Sequence, residues 1–84
     1  MPMYSTTGTG VNAPHMVQGT VALSSGSATV TLSGSAAFSS SSTYTCTAND
    51  TTATNAVKVS QGSGTSITFT GTGTDSVQFL CAGS

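Results

Sequence analysis

Apolar and polar residues alternate along most of this chain. In one clear run Val21 and Leu23 occupy every second position, and in the next Val30 and Leu32 do the same. A two-residue period is typical of a β-strand with one buried face, because successive side chains point to opposite faces. The pattern therefore predicts two strands here, and the Gly-containing segment 24–27 between them predicts that they form a hairpin.

The same period returns in four later segments, so six strands are predicted in all. They cover residues 19–23, 28–32, 43–47, 55–60, 66–70 and 75–81. Residues 36–38 form a further short strand or an edge, and no segment has the spacing of an amphipathic helix. Because turn residues separate the runs roughly every ten positions, we expect an all-β fold. The predicted form is a small antiparallel β-sandwich or jelly-roll-like barrel of six to eight strands.

The inward positions of these strands form the predicted core. They are Val21, Leu23, Val30, Leu32, Phe38, Tyr44, Cys46, Val57, Val59, Ile67, Phe69, Val77, Phe79 and Cys81. Such a core is thin, and small domains with thin cores usually need disulfides, a metal or oligomerisation. We therefore expect the chain to gain stability from a partner.

Residues 1–18 lack this regular period and are predicted to form an extended N-terminal arm, with the sandwich domain over 19–84. The arm carries enough apolar residues to dock on a partner or a neighbouring subunit. Its candidate partner-binding residues are Met3, Tyr4, Val11, Pro14, His15, Met16 and Val17. The alternative is a partly disordered tail, which is common at chain ends. The start of the chain lacks the pattern of a signal peptide, and no apolar stretch is long enough to predict a membrane span.

The composition has one feature of disordered chains, but its net charge and its β-branched residues favour a folded chain. Ser, Thr and Gly make up half of the 84 residues. Disordered chains of low hydrophobicity usually also carry a high net charge, whereas this chain carries only −1. Its many Thr and Val residues are β-branched and favour strands. The same composition therefore fits polar outer strand faces and tight turns.

Charge and candidate chemistry narrow the function further. The charged residues are Lys58, Asp50 and Asp75. We expect no nucleic-acid partner because there is no basic patch, and no metal or other cofactor because no ligand set is apparent. Asp50 suits an Asx-turn, and the single histidine, His15, is expected to be an ordinary arm residue. No catalytic constellation is present, so we do not expect an enzyme.

Cys46 and Cys81 both fall on the inward register of predicted strands. They are a candidate disulfide, which would constrain the unfolded chain. The alternative is a pair of buried free thiols that act as small apolar residues.

Two segments resemble small β-rich virion proteins of tailed bacteriophages. The run GTVALSSGSATVTL (19–32) is similar to their opening, and SGTSITFTGTGTDSV (63–77) is similar to their C-terminal part. The resemblance extends over residues 19–83. Such modules serve as head decoration or cement proteins, head fibres and tail-fibre tips, and they are typically trimeric. The resemblance implies a homotrimer and no catalytic residues.

The resemblance and the thin core together predict a capsid-decorating (cement) protein that stabilises the head surface. Its expected partner is the major capsid protein, and its expected location is the capsid surface of a virion assembled in the bacterial host cytoplasm. No membrane partner is expected. The alternative is a trimeric tail-fibre or head-fibre tip that recognises a host surface glycan or receptor. A hydrolase is disfavoured, because glycoside hydrolysis usually needs paired carboxylates.

Overall fold

The computed structural model describes residues 3–10 and 14–84. This part of the chain contains six strands and one short 3-10 turn. The strands are β1 (His15–Ala22), β2 (Ser27–Thr31), β3 (Tyr44–Asp50), β4 (Lys58–Gln61), β5 (Ser66–Thr70) and β6 (Ser76–Gly83). The 3-10 turn covers Gly34–Ala36, and residues 36–38 do not form the predicted short strand. The described residues include no helix with the length and apolar character needed to cross a membrane.

The strands form two three-stranded antiparallel sheets. One has the order β1-β6-β3 and the other the order β2-β5-β4. Their apolar inner faces enclose a single core, so the prediction of a small all-β sandwich is confirmed. The opposite face of each sheet is open to solvent and mostly polar, which explains why the strands alternate rather than form continuous apolar runs.

The predicted hairpin between the first two strands is wrong. Residues 24–27 do form a tight turn, closed by the bridge between Ser24 and Ser27. However, Leu23 N–H donates to the carbonyl of Asp75, and Gly26 N–H donates to that of Gly73. Because these flanking groups already bond to the β5–β6 segment, β1 continues beside β6 while β2 continues beside β5. The chain therefore crosses from one sheet to the other at this turn.

The core matches the predicted inward register. The buried apolar residues are Leu23, Leu32, Phe38, Tyr44, Cys46, Ile67, Phe69, Val77, Phe79 and Cys81, all of which were predicted to point inward. The four remaining predicted core residues, Val21, Val30, Val57 and Val59, are only partly buried against this cluster. They lie on or beside strands at the sheet edges, where a side chain has core neighbours on one side only.

The predicted boundary between arm and sandwich at residues 18 and 19 does not match the strand bounds, because β1 begins at His15. His15 and Val17 are on the inner face of this strand, whereas Met16 is on its outer face. Gly19 obscured the pattern, since it occupies an inward position without a side chain. A Cβ placed there would lie 2.9 Å from the Phe79 ring, so this ring covers the position of the missing side chain.

Residues 3–10 fold back on themselves rather than extend. Ser5 N–H donates to the carbonyl of Thr9 over 2.8 Å, and Tyr4 and Gly10 form an isolated bridge. Gly8, at φ +84°, supplies the left-handed backbone that such a tight turn requires. The extended arm thus remains a prediction, and Val11 lies outside the described residues.

Candidate functional site

The outer face of the β1-β6-β3 sheet is the main candidate binding surface, and we call it the front face. Its side chains are Met16, Gln18, Thr20, Ala22, Thr45, Thr47, Asn49, Ser76, Gln78, Leu80 and Ala82. The strand register aligns them in rows, such as Gln18 beside Leu80 and Leu80 beside Thr47. None of these eleven carries a charge, so the face has hydrogen-bonding and apolar groups only.

Two large apolar side chains on the front face are accessible to solvent. Met16 is 48% exposed and Leu80 is 42% exposed. Beside Leu80 lies an open depression of about 380 Å³, lined by Gln18, Thr47, Asn49, Gln78, Phe79 and Leu80. The amides can both donate and accept hydrogen bonds, and Leu80 offers apolar area. This combination suits a neutral protein surface or a hydroxyl-rich ligand, and binding there would depend little on salt.

Sequence reasoning missed this surface, because the composition predicts only polar outer strand faces and does not distinguish one face from another. One available signal was Leu80, a large apolar residue on an outward position of the last strand. The other was the amide side chains at outward positions, Gln18, Asn49 and Gln78. Only the strand order shows that these residues, distant in the chain, share one face.

The candidate arm residues do not form one surface. Met16 is on the front face, while His15 and Val17 are on the inner face of the same strand. Of the residues before β1, Met3 and Pro14 are half-buried and Tyr4 is 67% exposed.

His15 belongs to an aromatic stack at one end of the sandwich. Its ring stacks on Phe38 with centroids 4.3 Å apart, and Phe38 stacks on Tyr44 at 4.2 Å. His15 Nε2 lies 3.2 Å from the carbonyl oxygen of Ala36. The Tyr44 hydroxyl donates to the carbonyl of Ser63 over 2.6 Å, and burial raises the pKa of Tyr44 above its ordinary value. These contacts give His15 a packing role rather than that of an arm residue.

Cys46 and Cys81 form a disulfide between β3 and β6. The two residues are directly opposite each other in the ladder, with Cα atoms 4.0 Å apart. Beside them, the Gln61 side chain covers the outer edge of β3. Cys46 N–H donates to Gln61 Oε1 over 3.1 Å, and Gln61 Nε2 donates to the carbonyl of Tyr44 over 2.6 Å. Gln61 thereby replaces the missing neighbouring strand at this point.

Asp50 and Asp75 meet near the loops at one end of the sandwich. Asp50 Oδ1 accepts hydrogen bonds from the backbone of Thr52 and Ala53, which confirms the predicted Asx-type turn. Its Oδ2 atom is buried and has no hydrogen-bond partner among the described groups.

The interaction between the two carboxyl groups moves their pKa values in opposite directions. The backbone bond from Ala53, and next the interaction with Asp75, lower the pKa of Asp50. The same carboxyl–carboxyl interaction raises the pKa of Asp75, although Asn55 Nδ2 also donates to it. Two like-charged groups in contact cannot both ionise easily, so the pair retains a proton to higher pH. The two acids thus lie where the loop after β3 meets the loop before β6.

Within residues 3–10 and 14–84, no three His, Cys, Asp or Glu side chains come close enough together to bind a metal ion. Comparison of the chain with protein-family models, with curated protein sequences and with solved structures gave no match.

Proposed function

We propose that this protein is a virion component of a tailed bacteriophage, a capsid-decorating (cement) protein that binds the head surface as a homotrimer. Its proposed partner is the major capsid protein, and it joins the capsid during assembly in the bacterial host cytoplasm. A protein that binds the assembled shell in preference to free subunits stabilises the shell by mass action. Its role is therefore mechanical.

The observation that carries the proposal is the uncharged front face with its exposed Met16 and Leu80. Apolar side chains surrounded by neutral polar groups are typical of a surface that contacts another protein. Hydrogen bonds from Gln18, Asn49 and Gln78 can orient such a contact, while the two apolar residues add buried area.

The two segments that carry the resemblance to phage virion proteins are neighbours in the fold. Residues 19–32 and 63–77 lie side by side in the sandwich. Strand β2 pairs along its whole length with β5, and the end of β1 pairs with the start of β6. The two similar runs therefore form one continuous structural unit.

Binding to purified heads tests the proposal. We expect the protein to bind expanded, empty heads, and Leu80→Lys to weaken this binding at least tenfold, because it would bury a charge in the contact. The matched control is Thr29→Lys, an exposed change on the outer face of the other sheet. Deletion of residues 1–13 leaves β1 intact and measures the contribution of the predicted arm. Absence of binding to heads, or equal loss with both Lys variants, would contradict the proposal.

The depression beside Leu80 favours one alternative, a trimeric fibre tip that recognises a host surface glycan. Its amide groups are suited to sugar hydroxyls. In this case the protein binds host cells or a glycan array, and Asn49→Ala with Gln78→Ala abolishes binding while Thr29→Ala does not. Antibody labelling of virions in electron micrographs distinguishes the two functions, because label on the head supports decoration and label at a fibre end supports the tip.

A further inference from the structure

Within residues 3–10 and 14–84, no segment pairs with the outer edge of strand β1. This strand spans eight residues and has β6 as its neighbour in the sheet. Leu23 N–H, one position beyond the strand, donates to Asp75 on the β6 side over 3.0 Å. Because alternate residues of a strand point their backbone groups to the same side, the odd-numbered residues of β1 bond to β6. The N–H and C=O groups of the even-numbered residues in 16–22 point away from the sheet, and no hydrogen bond joins them to another described group.

The other sheet edges are shorter or covered. On β3, the Gln61 side chain takes the place of a neighbouring strand at Tyr44 and Cys46. Strand β4 has four residues and begins with Lys58, and strand β2 has five residues. Short strands and edge lysines are the usual means of preventing edge-to-edge association. Strand β1 is longer and contains no Lys, Arg, Asp or Glu.

We propose that β1 is a self-association edge, where it pairs antiparallel with β1 of a second copy of this chain about a two-fold axis at Gly19. In this register Met16 lies opposite Ala22 of the second copy, and Gln18 lies opposite Thr20. All four are the residues whose backbone groups point outward, so each cross-copy pair exchanges two backbone hydrogen bonds. The two β1-β6-β3 sheets become one sheet of six strands.

Both faces of β1 are complementary to a second copy in this register. On the inner face, Val17 meets Val21, and both are only partly buried within one chain. On the outer face, Met16, which is 48% exposed, covers Ala22. No charged pair is created by the pairing, so no desolvation of charge opposes it. Antiparallel pairing of two β1 strands therefore places compatible side chains opposite each other on both faces. For this reason we assign the edge to a second copy rather than to a strand of another protein.

The inference goes beyond the proposed function and does not depend on it. A two-fold contact joins two single chains or two trimers, so the number of copies in the assembly is even. It also extends the thin core of each sandwich, because Val17 and Val21 of both copies become continuous with it.

Charge variants at the pair Met16 and Ala22 test the contact and its register. Both side chains are exposed, so neither change disturbs the core. In Met16→Lys/Ala22→Lys each lysine faces a lysine of the second copy, and we expect dimer affinity to fall on the order of tenfold or more. In Met16→Lys/Ala22→Glu each lysine faces a glutamate, so the association is retained. Sedimentation velocity over a range of protein concentrations measures both, and circular dichroism checks that each variant is folded.

The proposal is supported if the wild-type protein forms an assembly with an even number of 8.2 kDa chains. The double-lysine variant should weaken this assembly, and the lysine–glutamate variant should retain it. A wild-type protein that stays monomeric at high concentration would overturn the proposal, as would equal behaviour of the two variants. A trimer that neither variant alters also overturns it while leaving the proposed head decoration intact. Gln18→Pro gives a second measurement, because proline removes an outward N–H that β6 does not use, and unchanged association in this variant would count against the pairing.

Discussion

Loss of the Cys46–Cys81 disulfide should remove a large part of the stability of this domain. The bridge closes a loop between residues separated by 35 positions. In the chain-entropy treatment, a loop of this length contributes about 4 kcal/mol, because it restricts the unfolded chain. A domain of 84 residues has a total free energy of unfolding of roughly 4–13 kcal/mol. The variant Cys46→Ala/Cys81→Ala is therefore expected to retain roughly 0–9 kcal/mol of this free energy.

Guanidinium denaturation followed by circular dichroism measures this loss. With an m value of about 2 kcal/mol/M for a small domain, a loss of about 4 kcal/mol lowers the midpoint by about 2 M. The m value should also rise, since an uncrosslinked chain exposes more surface when it unfolds.

Reduction of the wild-type protein separates the crosslink from side-chain packing. Reduced wild type keeps both sulfur atoms in the core but loses the loop closure, so it should unfold close to the double variant. The reducing agent should leave the double variant unchanged. A midpoint shift below about 0.5 M, or a reduced wild type as stable as the oxidised protein, would refute the loop-entropy reasoning.

Three further changes test the packing, the edge and the acid pair. Gly64→Ala places a Cβ against the Phe38 backbone and should cost about 2 kcal/mol or more in thermal unfolding, whereas Gly10→Ala has open space and should cost little. Gln61→Leu leaves a β3 donor and a β3 acceptor unpaired, so we expect a loss of about 1–3 kcal/mol for each group in denaturant titrations. The raised pKa of Asp75 means that wild-type stability falls as pH rises from about 4 through that pKa. Asp75→Asn should abolish this fall, and titrations at pH 4 and pH 7 would contradict the assignment if both proteins lost stability equally. The lowered pKa of Asp50 acts in the opposite sense, because its contribution is lost as pH falls below about 4.

Local alternation allowed the strands and the core to be predicted well. Each buried apolar residue was on the predicted inward register, and β5 has the predicted bounds. The reason is that a two-residue period fixes the face on which a side chain lies, whatever strand lies beside it. The start of β1 escaped prediction because Gly19 contributes no side chain to the pattern, and the predicted short strand near Ala36 gave way to a 3-10 turn.

The pairing of strands could not be predicted from this alternation. A hairpin between 19–23 and 28–32 would bury the same apolar residues as the observed arrangement, so the pattern could not distinguish them. The choice depends on the backbone bonds of Leu23 and Gly26 to the β5–β6 segment, which is about 50 residues away in the chain. Long-range contacts of this kind leave no periodic signal.

The sequence by itself determined which residues of this protein are inside and that the fold is all-β, because burial of alternate side chains is a local property of a strand. Only the tertiary structure decided which strands are neighbours, and therefore which surfaces exist. The front face joins β1, β3 and β6. The edge of β1 is open because β1 is the outer strand of its sheet and nothing in the described chain covers it. Both surfaces depend on strand order, which is set by hydrogen bonds between distant segments rather than by the identity of any single residue.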